Sequence, residues 1–412
     1  MNKTQKITLS LFLLYMISAI QSSIMSVVQN DIINAYGLTG AQIGLLSTAS
    51  SIGMFASLFT IPIVQSKVKR VVLMTFGAAL MVLNMCLIGF SSSWLILLMA
   101  ICFMGIGGNY MDTFLNSLVI DLNGEKSFRY VNLLHTFFSV GALVNPYIVR
   151  AIALWGGWRS CYYIIAIFVV IFFINFRIQA RKGMDVPAMR QSKGAELTKA
   201  VIIEMLHDKR IVLTALQSTL YSSAQMGIAN YMVTFIKREV PLPQSTGFSL
   251  LDTLTSEVLP LSLLWAGITI GRLLMAKLRL NPVKALAYGC FISVPIITVG
   301  LLATNFWGLC IMTFAFGVIC GHGIPSLTAR AGQNTPGRTA LGTTISSLIG
   351  HIISILWPLL ITTIAGKAGF KIGLLVTPFL LIASGIIGLF NNKACEQYDL
   401  IHQNDGINLL QP

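Results

Sequence analysis

The sequence predicts an all-α membrane protein of twelve transmembrane helices in two pseudo-symmetric six-helix bundles. Three observations predict it. The chain is 55% hydrophobic and only 10% charged, apolar stretches of about 20 residues recur along its whole length, and its two halves match each other. A water-soluble domain carries roughly 25% charged residues, so most of this surface must meet something other than water.

The expected spans are 8–28, 41–64, 71–91, 94–119, 131–151, 158–177, 211–236, 258–277, 283–303, 306–327, 340–363 and 372–391. Each is long enough to cross a hydrocarbon layer about 30 Å thick. At that depth the backbone must satisfy its own hydrogen bonds, which leaves helices or closed barrels. Runs this long, without alternation, exclude the barrel. The first span is too long, and too polar at Gln21, Ser22 and Ser23, for a cleaved signal peptide, so it is expected to be the first helix.

A net charge of +14 raises the question of nucleic acid, but the placement of the charge answers it. Of the 28 Lys and Arg, six (Arg150, Arg159, Lys237, Arg238, Lys367 and Lys371) fall in one set of alternate loops. The rest fall on the other side, including Lys3, Lys6, Lys67, Lys69, Arg70, Arg272, Lys277, Arg330 and the cations between 177 and 210. This positive-inside bias puts both termini in the cytoplasm of an inner (cytoplasmic) membrane and makes the bilayer, not nucleic acid, the partner. Trp94, Trp155, Trp158, Trp265, Trp307 and Trp357 fall at or near the outer ends of spans, where an indole can be half wet. Seven cysteines without metal-ligand or disulfide spacing read as small packing residues.

The one long polar connection, Arg177 to Arg210, divides six helices from six and ends in an amphipathic stretch around Leu197–Leu206. The expected organisation is a bundle over 1–177, a linker over 178–210, a second bundle over 211–392 and a tail over 393–412. Gly124–Arg159 aligns with Pro336–Lys371 at an offset of 212, pairing Pro146 with Pro358. At 214, Gly53 meets Gly267 and Arg70 meets Lys284; at 213, Phe103 and Gly108 meet Phe316 and Gly321. Parallel six-helix repeats describe the major facilitator architecture, whose site lies near mid-membrane between the halves.

Charge inside a membrane is expensive, so the intramembrane polar residues guide the search for chemistry. Asp112 is the carboxylate well inside a span, after Gly105, Gly107 and Gly108, with Asn109 and Asn116 at helical spacing. Burial disfavours the charged form of a carboxyl and can bring its titration toward neutral pH. Asp112 is therefore expected to bind a proton, the solute, or both in turn, against the alternative of a permanently hydrogen-bonded structural acid. His135 shares a face with Ser139; the repeat pairs His351 with Ser139 and His322 with Asn109. Each imidazole either meets solute or packs. Gln217, Tyr221 and Gln225 repeat every four residues, followed by Asn230 and Tyr231, and Ser22, Ser26 and Gln29 share a face of the first span. Such rows bind solute or join helices. No phosphate loop, metal set or other enzyme constellation appears in the sequence, so no cofactor and no enzymatic activity are expected, and uphill movement would draw on an ion gradient.

The segment Met111-Asp112-Thr113-Phe114-Leu115-Asn116-Ser117-Leu118-Val119 resembles the fourth-helix signature of the fucose:proton symporter branch of the major facilitator superfamily. Phe128-Arg129 and Leu134-His135-Thr136-Phe137-Phe138-Ser139 resemble that family's fifth helix. Tyr221 with Ala224-Gln225 resembles the seventh, and Gly271-Arg272-Leu273 with Asn281-Pro282-Val283-Lys284 the eighth and its following loop. The resemblance implies proton coupling at Asp112, solute contact at His135 (where the family commonly has Gln) and at Gln225, and a monomer. Ser26 stands where fucose permeases use an acid. The loop signature between helices two and three is reduced to Gln65-Ser66-Lys67-Val68-Lys69-Arg70, keeping its basic part. Lys69, Arg70 and Arg272 are the expected gating cations. The function implied is proton-coupled movement of a sugar or similar small polar solute by rocking of two halves. An efflux carrier for amphiphilic compounds is the alternative, consistent with 17 Met and 23 Phe.

Overall fold

The structure, a computed structural model, describes residues 1–65, 67–123, 127–186, 199–247, 249–278, 280–335, 346, 348–350 and 355–404. All regular structure among them is α-helical. The first crossing is Lys3–Ser22 continued by Ile24–Tyr36, interrupted at Ser23. Gly40–Gln65, Arg70–Phe90 and Trp94–Asn123 follow. The fifth and sixth crossings are the two arms of Ser127–Lys182, which turns back at Gly157. There φ is 76° and ψ 170°, a region open essentially to glycine alone.

A short helix, Lys199–His207, precedes the second half. Its crossings are Lys209–Glu239, Leu259–Leu278, Pro282–Ala303, and Phe306–Cys320 continued by Gly323–Gln333. The eleventh is described over Leu356–Ala368, and the twelfth is Phe370–Leu374 continued by Val376–Asn404. Helix starts carry their own side-chain caps: Asn2 with Gln5, Asp208 on Arg210, Asn281 before Pro282, and Asn305 on Gly308. The last helix runs past 392 because its end has partners. The Arg330 guanidinium reaches Cys395, and that of Arg210 lies over the Tyr398 ring at 3.3 Å.

Large apolar side chains face outward on all sides, among them Trp155, 82% exposed, and Phe379, 71% exposed. An apolar belt of this kind is stable where the surrounding solvent is lipid. Two tryptophans depart from the interfacial expectation. Trp158 and Trp265 are buried, and Trp265 packs on Phe138 across the two halves.

The duplication seen in the sequence is present as a packing contact. A Cβ on Gly53 would strike the Cys102 carbonyl, and one on Gly267 would strike the Phe314 carbonyl. The reciprocal approach, Gly105 on Ser50, recurs as Gly317 on Leu264. The second and fourth crossings therefore meet as the eighth and tenth do, backbone to backbone, at the offsets of 212 and 214. Gly53→Val and Gly267→Val should each cost about 1–3 kcal/mol or more, since a carbonyl must move, and lower the melting temperature in detergent. Gly108→Ala, with open space around it, should leave melting unchanged.

Candidate functional site

The start of the first helix and the end of the last described helix lie on one face of the molecule, called here the terminal face; the opposite face is distal. Asp112 lies on the fourth crossing, deep in the protein yet with part of its surface open. A group both deep and open faces an internal cleft and not lipid. The Asn116 Nδ2 donates to Asp112 Oδ1 at 3.2 Å and to its backbone carbonyl at 2.9 Å. The Tyr15 hydroxyl of the first crossing is set against the same carboxyl.

Tyr15 connects the acid to the rest of the cleft. Its ring meets His135 edge-on at 5.6 Å and Phe138 at 4.9 Å, and Phe138 meets Trp265 at 6.1 Å. His135 keeps some open surface, while Ser139 is buried and donates to the His135 carbonyl at 3.0 Å. The lining is thus part aromatic, part polar.

Arg272 completes the cleft. The sequence places it with the cations of the terminal face, and the structure corrects this. From the eighth crossing its Nη1 donates to Ser139 Oγ at 2.8 Å and its Nε to the Gly321 carbonyl at 3.2 Å. It therefore joins the two halves in the middle of the molecule. The close approach of Gly271 to the Val318 carbonyl brings the eighth crossing near enough to the tenth for the second of these bonds.

Toward the distal face a chain of alternating charges closes the cleft. Arg150 Nε lies 3.2 Å from Glu257 Oε2, Lys237 Nζ 3.7 Å from Glu257 Oε1, and the same Nζ 3.7 Å from Asp31 Oδ2. Arg150 and Asp31 belong to the first half, Lys237 and Glu257 to the second. Further bonds reinforce the seal: Ser26 to Asn230, Thr234 to Gln29, Arg238 to Asn30, and the Tyr147 hydroxyl to the Leu254 carbonyl. Gly40 and Gly44 pack directly on the eleventh crossing at Thr362.

The remaining candidates fall elsewhere. Asn109 donates to Ser57 Oγ at 2.5 Å and so joins the fourth crossing to the second. Asn230 is part of the seal. Tyr221 donates to Gln225 at 2.6 Å, and both are buried. Gln217, at the start of their row, bonds the Val283 carbonyl and Asn391, so there the row joins helices. His322 approaches Ser326 at 3.3 Å and lines an apolar groove of about 460 Å³ whose Tyr288 and Ile292 are exposed on the outer flank of the second half. Arg70 pairs with Asp121, clamping the third crossing to the fourth at the terminal face, and Lys69 is the residue before that helix. His351 lies outside the described residues. Sequence reasoning missed Tyr15 and Glu257: the first looks like one more aromatic in an apolar span, the second like a loop carboxylate.

The sequence profile of the Major Facilitator Superfamily matches residues 11–297. The chain belongs to that superfamily. Its transporters carry small molecules across a membrane, and the superfamily fold accounts for the multi-pass architecture and the paired bundles. No curated protein sequence matches the chain.

Solved structures share the fold at low identity. A bacterial homologue of the human lysosomal transporter Spinster, inward-facing and unoccupied, superposes with a TM-score of 0.76 at 15% identity, over 95% of this chain and 98% of that one. Tetrameric PepTSo2 gives 0.70 at 12% identity over 98% and 100%. A bacterial homologue of the human drug peptide transporters PepT1 and PepT2 gives 0.70 at 12% identity over 97% and 99%.

Proposed function

We propose that this superfamily member is a proton-coupled secondary transporter of a small polar solute, sugar-like in its hydroxyls, working by alternating access. The observation that carries the reading is Asp112: a carboxyl deep between the bundles, open to a cleft, and touched by only light hydrogen-bonding groups. Its neighbours suit the role. Asn116 and Tyr15 hold the carboxyl in place, while His135, with Phe138 alongside, offers a polar edge and a ring face to a hydroxylated solute. With the terminal face assigned to the cytoplasm by its cations, the distal seal makes this the inward-facing state. The cleft is complete within one chain, which supports a monomer as the working unit.

The test is a thermal-shift screen of the purified protein at two pH values, with neutral sugars, sugar acids and amphiphiles, since a ligand stabilises the folded form by mass action. A polar solute is expected to raise the melting temperature in a pH-dependent way. Stabilisation by amphiphiles alone would instead identify an exporter. His135→Ala should weaken the effective polar solute about 10-fold or more, as for one lost hydrogen bond to a buried group, with unliganded melting unchanged. Undiminished affinity would return His135 to packing.

A further inference from the structure

Arg272 stands out in the cleft because, among the described residues, no carboxylate comes within ion-pairing distance of its guanidinium. Its partners are neutral, the Ser139 hydroxyl and the Gly321 carbonyl, and among the described residues its Nη2 has no hydrogen-bond acceptor. Nor is Arg272 sealed away: the residue is half-buried and keeps some open surface. Uncompensated cations inside a membrane protein are rare, and they face cavities where a counter-charge arrives from elsewhere. The charged groups around the cleft are Arg272 and Asp112; His135, Tyr15 and Tyr221 are the other titratable neighbours. Asp112 is occupied on its own side by Tyr15 and Asn116.

We infer that Arg272 binds the acid group of the solute, and that the transported class is a small carboxylate bearing hydroxyls. A guanidinium presents parallel N–H donors that match a planar carboxylate, and one terminal nitrogen here is already held by Ser139 while the other has no acceptor among the described residues. A carboxylate on Nη2 lies in the same cleft as His135 and Tyr15, which are then placed for the solute's hydroxyls. The inference rests on the carrier reading above and narrows its substrate. It leaves Asp112 to the proton and gives the solute a separate anchor on the other half, so that loading itself ties the halves together.

The experiment uses the purified full-length protein. Melting temperatures are measured with sodium gluconate, glucuronate, lactate and succinate, beside glucose, sorbitol and sodium chloride at matched ionic strength. At least one carboxylate is expected to stabilise the native protein. That shift should vanish in Arg272→Gln and weaken about 10-fold in apparent affinity in Arg272→Lys, which keeps the charge without the fork. Stabilisation confined to glucose or sorbitol overturns the anion assignment and leaves the carrier reading standing. No effect from any carboxylate overturns it too, and a carboxylate shift that survives in Arg272→Gln shows that the anion binds elsewhere and overturns the assignment to the guanidinium. If Arg272→Gln does not fold, the Lys variant decides: an undiminished shift overturns the guanidinium contact.

Discussion

Asp112→Asn is expected to abolish uphill accumulation while leaving solute exchange measurable. In proteoliposomes with an imposed gradient of one pH unit, a carrier moving one proton per solute accumulates it about tenfold, because one unit corresponds to about 1.4 kcal/mol. The Asn variant should level at equal concentrations inside and out. Exchange of labelled for unlabelled solute should persist, since the amide keeps the shape and the Asn116 and Tyr15 contacts while losing the exchangeable charge. The solute is the one that stabilises the protein in the thermal screen. Tenfold uptake by Asp112→Asn would remove the acid from the coupling step and leave the energy source to another group.

The second large effect is expected at Glu257. Its carboxylate is nearly enclosed, with 10% of the side chain exposed, and it faces Arg150 from the other half and Lys237 from its own. In Glu257→Gln both cations lose their shared counter-charge while the distal seal is closed, and regain water when it opens. Removing one partner of a buried pair costs about 3–5 kcal/mol, less where the partner is part-exposed, as Arg150 is at 24%. A shift of roughly 1–3 kcal/mol toward the distal-open state follows, about 5- to 150-fold in population. Spin labels at Ser93 and Asn305, exposed distal positions on the two halves in a cysteine-free background, read this directly as a longer distance population. Adding Arg150→Gln should recover part of the closed state by removing one of the two opposed cations. An unaltered distance distribution in Glu257→Gln would show that the remaining contacts, the Lys237–Asp31 pair, the hydrogen bonds and the packing of Gly40 and Gly44, hold the seal without Glu257.

Topology was legible in the sequence because hydrophobic length is a local signal. The duplication was legible in part because one backbone contact demands glycine twice, at Gly53 and at Gly267. The candidate site was legible only where a residue type is intrinsically out of place, as Asp112 is in a span. Arg272 is equally out of place, yet it sits near one end of its apolar window and so reads as a loop cation. Only the partners at Ser139, 133 residues away, and at Gly321 place it in the interior. The seal is invisible for the same reason: Arg150 and Glu257 are 107 residues apart and each ends an apolar run. The amide row of the seventh crossing shows the opposite limit. Its period of four marks a polar face, but whether that face meets solute or other helices depends on neighbours such as Asn391 and Val283, which periodicity cannot see.

In the cycle proposed above, the separation of a permanent cation from a switchable acid sets how the carrier would respond to voltage. When the cleft is loaded, a carboxylate on Arg272 and a proton on Asp112 leave no net charge to be carried. When it returns empty, ionised Asp112 and Arg272 cancel. Each elementary charge moved through 100 mV is worth about 2.3 kcal/mol, and here neither leg of the cycle collects it. A transporter working by the proposed cycle would draw on the proton concentration difference alone and would keep working in a cell whose electrical potential has collapsed.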